Sequence, residues 1–293
     1  ASDKKIELKD IPIMPQVATK ILQLQEDNLK ISFKDLERVI LVDPALTAKI
    51  LKVANSALYA RQKEVTSLQQ AITLLGFKMV KSMVLLVCAS NIYKKKTRKL
   101  YVPDNTPESL SSATKMWHHL ITTAFISRHI AISLDFQDLK EDAFIAGLLH
   151  DIGRMAFLLN HIDLYEAFLE EIITSHDINI LTLEEKHFGY NHCEAGKYIF
   201  QKWNFPDEYI DAVSQHHTSF IDSPYDRIVR IVAIANIYAR LVNNEIAAED
   251  EKELLESNKK ILGITQEQEQ HILTDFYEEI KNSELFTISS EML

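Results

Sequence analysis

The sequence predicts an all-α protein. Gly and Pro are scarce, with six Gly and seven Pro among 293 residues, whereas a fold built from short strands needs many tight turns. Helix-start signals recur along the whole chain, and no alternating strand pair joined by a turn lies between them. Together these observations favour a fold of several packed helices.

Capping signals define the first helices. Ser32 opens a capping-box pattern, and Asp43 precedes a proline that suits the first position of a helix. Ser67 opens a second capping box, and Gly76 fits the position just past the helix that follows. A long apolar helix is then predicted for residues 77–93.

A further capping box predicts the last helix of the chain. Thr265 and Gln268 provide its two side chains. Apolar residues follow at helical spacing, at Ile272, Leu273, Phe276 and Ile280.

Polar breaks divide the chain into three parts. The stretch at residues 102–109 contains two prolines and predicts a linker, and residues 243–250 form a weaker break. We therefore predict an N-terminal helical subdomain at residues 1–103, a helical core at residues 104–245 and a C-terminal helical extension at residues 246–293. The N-terminal subdomain is expected to pack on the core.

Composition excludes several classes of protein. With 46% hydrophobic and 25% charged residues, the chain is neither disordered nor collagen-like. The formal net charge of −10 makes it a poor general binder of nucleic acid. Its one basic run, at residues 94–99, is interpreted as a solvated helix end.

The sequence also favours a cytoplasmic location. No segment contains the roughly 18 consecutive apolar residues of a membrane span, and the N-terminus has no apolar signal core. Cys88 and Cys193 lie far apart and outside any CxxC pair, so we expect free thiols in a reducing compartment.

Histidines are concentrated in the second unit. Seven of the eleven lie in four short clusters, which are His118 with His119, His150 beside Asp151, His187 with His192, and His216 with His217. Imidazole is the commonest protein ligand for transition metals, and helix bundles often build metal sites from several helices. The pattern predicts one buried polyhistidine site.

Each cluster also has a structural interpretation. His150 and Asp151 end an apolar helix for which Gly153 is a plausible C-cap, so both could simply satisfy a helix terminus. His192 follows the predicted N-cap Asn191 and could be an exposed capping-segment residue.

The paired histidines have similar alternatives. His216 and His217 end a helix that starts near Pro206, where they could complement the helix dipole. At most one of His118 and His119 can point at a single site. The scattered histidines are interpreted as surface or packing residues, namely His129, His161, His176 and His271.

At this point the motifs resemble the HDOD family, bacterial signalling modules related to the HD phosphohydrolases. The resemblance covers residues 10–240. Its motifs are residues 11–15, 42–56 and 65–76 in the first unit, and residues 117–119, 146–153 and 188–192 with Gly196, Trp203, Pro206, His216 and His217 in the second.

The resemblance implies an HD-type helical core. In catalytically competent HD enzymes, a His, an adjacent His-Asp pair and a later Asp hold a divalent metal, which activates water for attack on a phosphoester. By motif position these residues are His119, His150 and Asp151, while the later Asp falls at Asn236. An Asn carbonyl can bind a metal but brings no negative charge.

The remaining site residues follow from the same scheme. His192, His216 and His217 complete the candidate metal ligands, and Fe, Mn, Zn and Ni all suit such a set. In an active enzyme, Asp151 and Arg154 are the candidate catalytic residues, with Arg154 contacting a phosphate; the alternative for Arg154 is a solvated charge. The Gly-Tyr-Pro signature of the cyclic-dinucleotide phosphodiesterase branch is missing after the His pair.

Three functional hypotheses follow. The first is a non-catalytic signal-transduction module that acts through a protein partner or a nucleotide. The second is a metal-dependent phosphohydrolase acting on a nucleotide or other phosphoester. The third is a sensor that binds metal or nucleotide without turnover.

Overall fold

The computed structural model confirms the all-α class. It describes residues 8–23, 33–56, 64–97, 107–174, 179–243 and 247–292, and within these ranges there are helices and no strands. In chain order the helices are α1 (Gln16–Gln23), α2 (Phe33–Leu41), α3 (Pro44–Ala54), α4 (Leu68–Leu75), α5 (Phe77–Thr97), α6 (Pro107–Ser133), α7 (Lys140–Leu149), α8 (Arg154–Asn160), α9 (Ile162–Thr174), α10 (Ile180–Phe188), α11 (His192–Lys202), α12 (Asp207–Gln215), α13 (Asp226–Leu241), α14 (Glu249–Leu262), α15 (Gln266–His271), a π-helical turn (Ile272–Phe276), α16 (Tyr277–Lys281) and α17 (Glu284–Ser290).

Most predicted caps in the N-terminal unit are confirmed. The Asp43 carboxylate accepts hydrogen bonds from two backbone N–H groups of α3, at 3.0 and 3.1 Å. Ser67 forms its capping box at the start of α4. Gly76 has φ +83°, a conformation that favours glycine, where α4 meets α5. Ser32 lies outside the described residues.

Three helices form the centre of the fold. α13 packs against both α6 and α7, and every residue from 228 to 239 is buried. Trp117 on α6 is fully buried, and so is most of α7. Helices that are apolar on all sides need such surroundings. This packing sets the end of α7, which carries His150, against the middle of α6, which carries His119.

A buried carboxylate joins the N-terminal unit to this centre. Glu141 on α7 is 3% exposed. It accepts a hydrogen bond from Ser82 of α5 at 3.1 Å and pairs with Arg128 of α6 at 2.8 Å. A buried carboxylate is tolerated only with such partners, so this network fixes α5 against α6 and α7.

The N-terminal segment also packs against the second unit. The Trp203 indole N–H donates to the carbonyl oxygen of Pro12 at 3.1 Å. Asp10 and Asn160 exchange two hydrogen bonds, of 3.0 and 2.9 Å. The proline-containing stretch at residues 11–15 is thereby held against the second unit.

The predicted capping box of Thr265 is confirmed, but the helix it opens is not the last one. A π-helical turn leads into α16, and α17 follows after the N-cap Ser283, whose side chain accepts from the Phe286 N–H. Ser289 then accepts a hydrogen bond from the Trp117 indole at 2.9 Å. The short α17 therefore completes the core around α6. The sequence pattern of α17 is too weak to predict this contact.

Two sequence features lie largely outside the described residues. For the basic run at 94–99 only helical backbone up to Thr97 is described, and the predicted linker at 102–109 is described only from Pro107, where α6 begins. Within the described ranges no single helix is long and apolar enough to cross a membrane. Only Leu68–Leu75 and Phe77–Tyr93 taken together meet that criterion, as a pair bent by 114°.

Candidate metal centre

His150 and Asp151 lie at the end of the buried helix α7. His150 is its C-cap residue, and its Nδ1 lies 2.8 Å from the carbonyl oxygen of Gly147. Because a carbonyl only accepts, Nδ1 carries the proton, and the lone pair of Nε2 faces the interior.

Gly153 plays a different role from the predicted C-cap. Its backbone has helical φ and ψ at the start of α8. A Cβ at this position would lie 1.9 Å from the carbonyl oxygen of His192 and 2.7 Å from the nitrogen of Gly196. The glycine therefore allows α8 to approach α11 closely and brings His192 beside Asp151.

His192 is oriented from two sides. Asn191 forms the predicted N-cap, completed as a capping box by Glu194. The ring Nδ1 lies 2.6 Å from Oε2 of Glu184, which also accepts the backbone N–H of His192 at 2.8 Å. Glu184 lies on α10 and is fully buried. Sequence reasoning missed Glu184, because nothing in its local pattern indicates burial.

His216 is held in the same manner at the end of α12. Its Nδ1 lies 3.1 Å from the carbonyl oxygens of both Ala212 and Val213. The lone pair of its Nε2 therefore also faces the interior. Backbone carbonyls and carboxylates that fix the ring tautomer in this way are typical of metal-ligating histidines.

These rings converge on the Asp151 carboxylate. Oδ1 lies 3.2 Å from Nε2 of His192 and 3.8 Å from Nε2 of His216. Oδ2 lies 3.5 Å from Nε2 of His150 and 3.9 Å from Nε2 of His119. Asp151 thus bridges two groups of potential ligands.

The ring nitrogens within each half are also close together. Nε2 of His119 and of His150 are 3.3 Å apart, and Nε2 of His192 and of His216 are 3.2 Å apart. His217 belongs to the second half. We call the whole set the metal-donor cluster, consisting of His119, His150, Asp151, His192, His216 and His217.

The donor set fits a divalent cation. Two nitrogens bound to one cation at about 2.1 Å with tetrahedral angles are about 3.4 Å apart, close to the observed separations. Oδ1 of Asp151 and Nε2 of His217 are buried without a hydrogen bond from any described residue. Buried polar atoms normally have partners, so these orphaned atoms support a cation here.

Burial and neighbouring charges set the protonation of the first half. Burial lowers the pKa of His150 to about 3, which keeps the ring in its neutral, ligating form. For Asp151, burial favours the neutral acid, but the Arg154 guanidinium outweighs it and holds the carboxyl pKa well below its usual range. The first half therefore offers a carboxylate and a neutral imidazole.

The second half retains protons more strongly. Burial opposes protonation of His192, but the Glu184 carboxylate raises its pKa well above the usual value. The pKa of His216 is raised to about 9, because Cys193 and Asp151 outweigh its burial. Burial and the neighbouring His216 hold the pKa of His217 well below its usual value. Cation binding at this half must therefore displace protons.

Arg154 faces the cluster rather than solvent. Its Nε lies 2.9 Å from Oδ2 of Asp151, and its Nη2 lies 4.0 Å from Oε1 of Glu184. The guanidinium is thus placed between two carboxylates and neutralises part of their charge.

The other candidates differ in their surroundings. Asn236 is buried on α13, the helix that packs against both α6 and α7. His118 turns away, its ring centroid lying 6.2 Å from that of Phe286. His187 pairs with Glu171 at 2.8 Å. The prediction that at most one of the two adjacent histidines reaches the site is confirmed.

The scattered histidines are found mainly in aromatic contacts. His129 stacks on Phe276 with centroids 3.7 Å apart, and His271 lies beside it. His161 contacts Phe188. His176 lies outside the described residues.

Helices that bring a His-Asp pair against histidines from neighbouring helices define an HD-type helical protein. The HDOD domain family model matches residues 11–219, and the chain therefore belongs to the HDOD family. The expected family is thereby confirmed.

One curated relative is an uncharacterized protein of Treponema pallidum (strain Nichols). It is 25% identical over 235 residues, which cover 79% of this chain and 43% of the relative. The chain thus spans less than half of that relative's length.

Solved structures share the fold. An HDOD domain protein of unknown function from Geobacter sulfurreducens has a TM-score of 0.74 at 21% identity, covering 98% of this chain and 94% of the other. A protein from Shewanella amazonensis SB2B, provisionally assigned as a phosphohydrolase, has a TM-score of 0.67 at 19% identity, covering 96% and 93%. At these identities the likeness establishes the fold alone.

Proposed function

We propose that this chain is an HDOD-type signal-transduction module that holds a divalent cation in the metal-donor cluster and acts by binding a protein partner, without turnover. The observation that carries this proposal is the burial of most of the cluster. His150, His192 and His216 are fully buried, and Asp151 is 3% exposed. These four side chains therefore present almost no surface to a phosphoester in this conformation.

The charges around the cluster support the same conclusion. Arg154 directs its guanidinium at Asp151 and Glu184, although a substrate phosphate would need such a group free. Asn236, at the motif position of an Asp, carries no charge for a cation. A structural or sensory cation needs a well-oriented set of ligands but no substrate path.

Metal content and phosphoesterase activity test the proposal together. Elemental analysis of protein purified without chelator is expected to find near-stoichiometric Fe, Mn, Zn or Ni, and the His150→Ala variant is expected to lose it. With each of these metals, hydrolysis of bis(p-nitrophenyl) phosphate and of a nucleotide panel should not exceed that of His150→Ala. Absence of metal after incubation would refute the metal assignment, and metal-dependent hydrolysis would refute the non-catalytic role.

A metal-dependent phosphohydrolase is the second candidate. It is favoured by the partial exposure of the His119 and Arg154 side chains, at 16% and 22%, which leaves one edge of the cluster accessible. In this candidate Asp151 helps to hold the cation and Arg154 meets the substrate phosphate. A bound divalent cation would supply charge stabilisation and activate water.

Restoring the missing carboxylate separates the two candidates. A lapsed phosphohydrolase should gain hydrolytic activity in the Asn236→Asp variant, because the later Asp of the HD motif returns. A regulatory module should remain inactive in this variant with all four metals. Titration of the wild-type protein with nucleotides, followed calorimetrically, tests whether a nucleotide replaces the protein partner as ligand.

The three-part organisation and the cellular location belong to the same proposal. We place the boundaries at residues 103 and 245 and the module in the cytoplasm. Cys88 and Cys193 are both buried free thiols, which supports a reducing compartment.

A further inference from the structure

Cys193 lies against the metal-donor cluster, in the first turn of α11 and directly after His192. Its side chain is buried. The sulfur lies 3.6 Å from Nε2 of His192 and 3.9 Å from Nδ1 of His216. The proposed function assigns no role to this thiol.

We propose that Cys193 provides a thiolate ligand to the cation held by His192 and His216, so that this half of the cluster selects a borderline cation such as Zn²⁺ or Co²⁺ over Mg²⁺ or Mn²⁺. This inference rests on the proposed metal binding and adds a ligand and a class of cation. Thiolate ligands favour soft and borderline cations, whereas Mg²⁺ and Mn²⁺ favour oxygen ligands.

The separation of the donor atoms carries the first part of the argument. A cation bound at about 2.3 Å to sulfur and about 2.1 Å to nitrogen, with a tetrahedral angle, places the two ligand atoms about 3.6 Å apart. The Cys193 sulfur and Nε2 of His192 have this separation. Because Glu184 holds Nδ1, Nε2 of His192 is the ring nitrogen that faces the cluster and can bind a cation once the ring is neutral.

The Asp151 carboxylate provides independent support. Its Oδ1 is buried, receives no hydrogen bond from a described residue, and lies 3.2 Å from Nε2 of His192. Once His192 has released its proton, this oxygen faces a ring lone pair, and a cation between them would satisfy both atoms. Together with His192, Cys193 and Asp151 thus offer nitrogen, sulfur and oxygen donors of the kinds that zinc sites use.

Charge balance carries the third part. Asp151 and Glu184 bring two negative charges to this region, and the Arg154 guanidinium offsets one of them. One net negative charge therefore remains, and a thiolate at Cys193 would supply the second charge that balances a divalent cation.

The second cysteine gives a comparison within the same chain. Cys88 is also buried, but its burial raises the thiol pKa to about 12, as expected for a small apolar packing residue. It belongs to the apolar core around α5. Cys88 therefore serves as the matched control for a buried thiol without a ligand role.

Cobalt spectroscopy of the whole chain tests the inference. Co²⁺ added to metal-free wild type is expected to give a near-ultraviolet thiolate-to-cobalt charge-transfer band. Cys193→Ser should lose this band and lower cobalt affinity at least about tenfold, as loss of a ligand would. Cys88→Ser should keep both. Bound cobalt is measured by equilibrium dialysis, and retained folding by circular dichroism.

The outcomes separate this inference from the proposed function. Cobalt bound without a charge-transfer band, or a band that persists in Cys193→Ser, would overturn the ligand role and leave metal binding intact. No cobalt bound by wild type would overturn both. If Cys193→Ser fails to fold, X-ray absorption at the zinc edge of the wild type decides, since a sulfur neighbour at about 2.3 Å is required.

Discussion

Glu184 holds His192 through two hydrogen bonds to one carboxylate oxygen. Oε2 lies 2.6 Å from the ring Nδ1 and 2.8 Å from the backbone nitrogen. The pair fixes the tautomer that leaves Nε2 free for a cation and increases the basicity of the ring. A fully buried carboxylate is costly, so this arrangement is best explained as support for a ligand.

Replacing Glu184 tests this support. We expect Glu184→Gln to lower zinc affinity about 10- to 100-fold, because the neutral amide no longer stabilises the ligating form of His192. Competition with a chromophoric chelator measures the affinity. Glu171→Gln is the control, since Glu171 contacts His187 away from the cluster. Equal affinities for the two variants would contradict the prediction.

The adjacent histidines of α6 provide a matched pair. His119→Ala should reduce bound metal per chain, because its Nε2 lies 3.3 Å from that of His150. His118→Ala should keep wild-type metal content, since its ring faces Phe286. Elemental analysis of both variants makes the comparison. Similar losses in both would show that the effect is on folding rather than ligation.

Gly153 is expected to tolerate no side chain. Gly153→Ala places a Cβ on the carbonyl oxygen of His192, a backbone atom, and should lower the free energy of unfolding by about 3 kcal/mol or more. Urea unfolding gives the value, and metal content should fall with it. Gly263→Ala is the control. Its added Cβ meets no atom within 4 Å, and only the positive φ of +75° disfavours a side chain there. The free energy of unfolding of that variant should fall by only about 1–2 kcal/mol, and its metal content should not change.

His129 should contribute to acid sensitivity away from the cluster. Burial, and then the nearby His271, lower its pKa from 6.5 to about 4. The folded protein therefore keeps this ring neutral, whereas the unfolded chain takes up a proton below pH 6.5. The resulting stabilisation is complete above pH 6.5 and is lost progressively as the pH falls toward 4.

Thermal unfolding between pH 7 and pH 5 measures this effect. On lowering the pH from 7 to 5, the thermal unfolding midpoint of His129→Phe should fall less than that of wild type. Phe can keep the stacking on Phe276 but does not titrate. His271→Gln should give an intermediate result, because His271 is the smaller cause. An unchanged pH dependence in His129→Phe would disprove the assignment.

The helical class, the caps of α3, α4 and α11, and the grouping of the histidines could be predicted from sequence. These features depend on contacts between residues close in the chain, such as Asp43 with the first N–H groups of α3. The predicted C-cap role of Gly153 was wrong, because its requirement comes from α11, a helix distant in sequence. The short α17 was missed for a similar reason, since its docking depends on Trp117.

Helix periodicity, capping and motif spacing are local, so the helical fold, the HD-type class and the grouping of the histidines can be predicted from the amino-acid sequence. Which of those side chains meet depends on the tertiary fold. It placed His119 rather than His118 at the site, added the buried Glu184, turned Arg154 inward and set Cys193 beside two imidazoles. These relations depend on the packing of helices far apart in the chain, which no local pattern encodes.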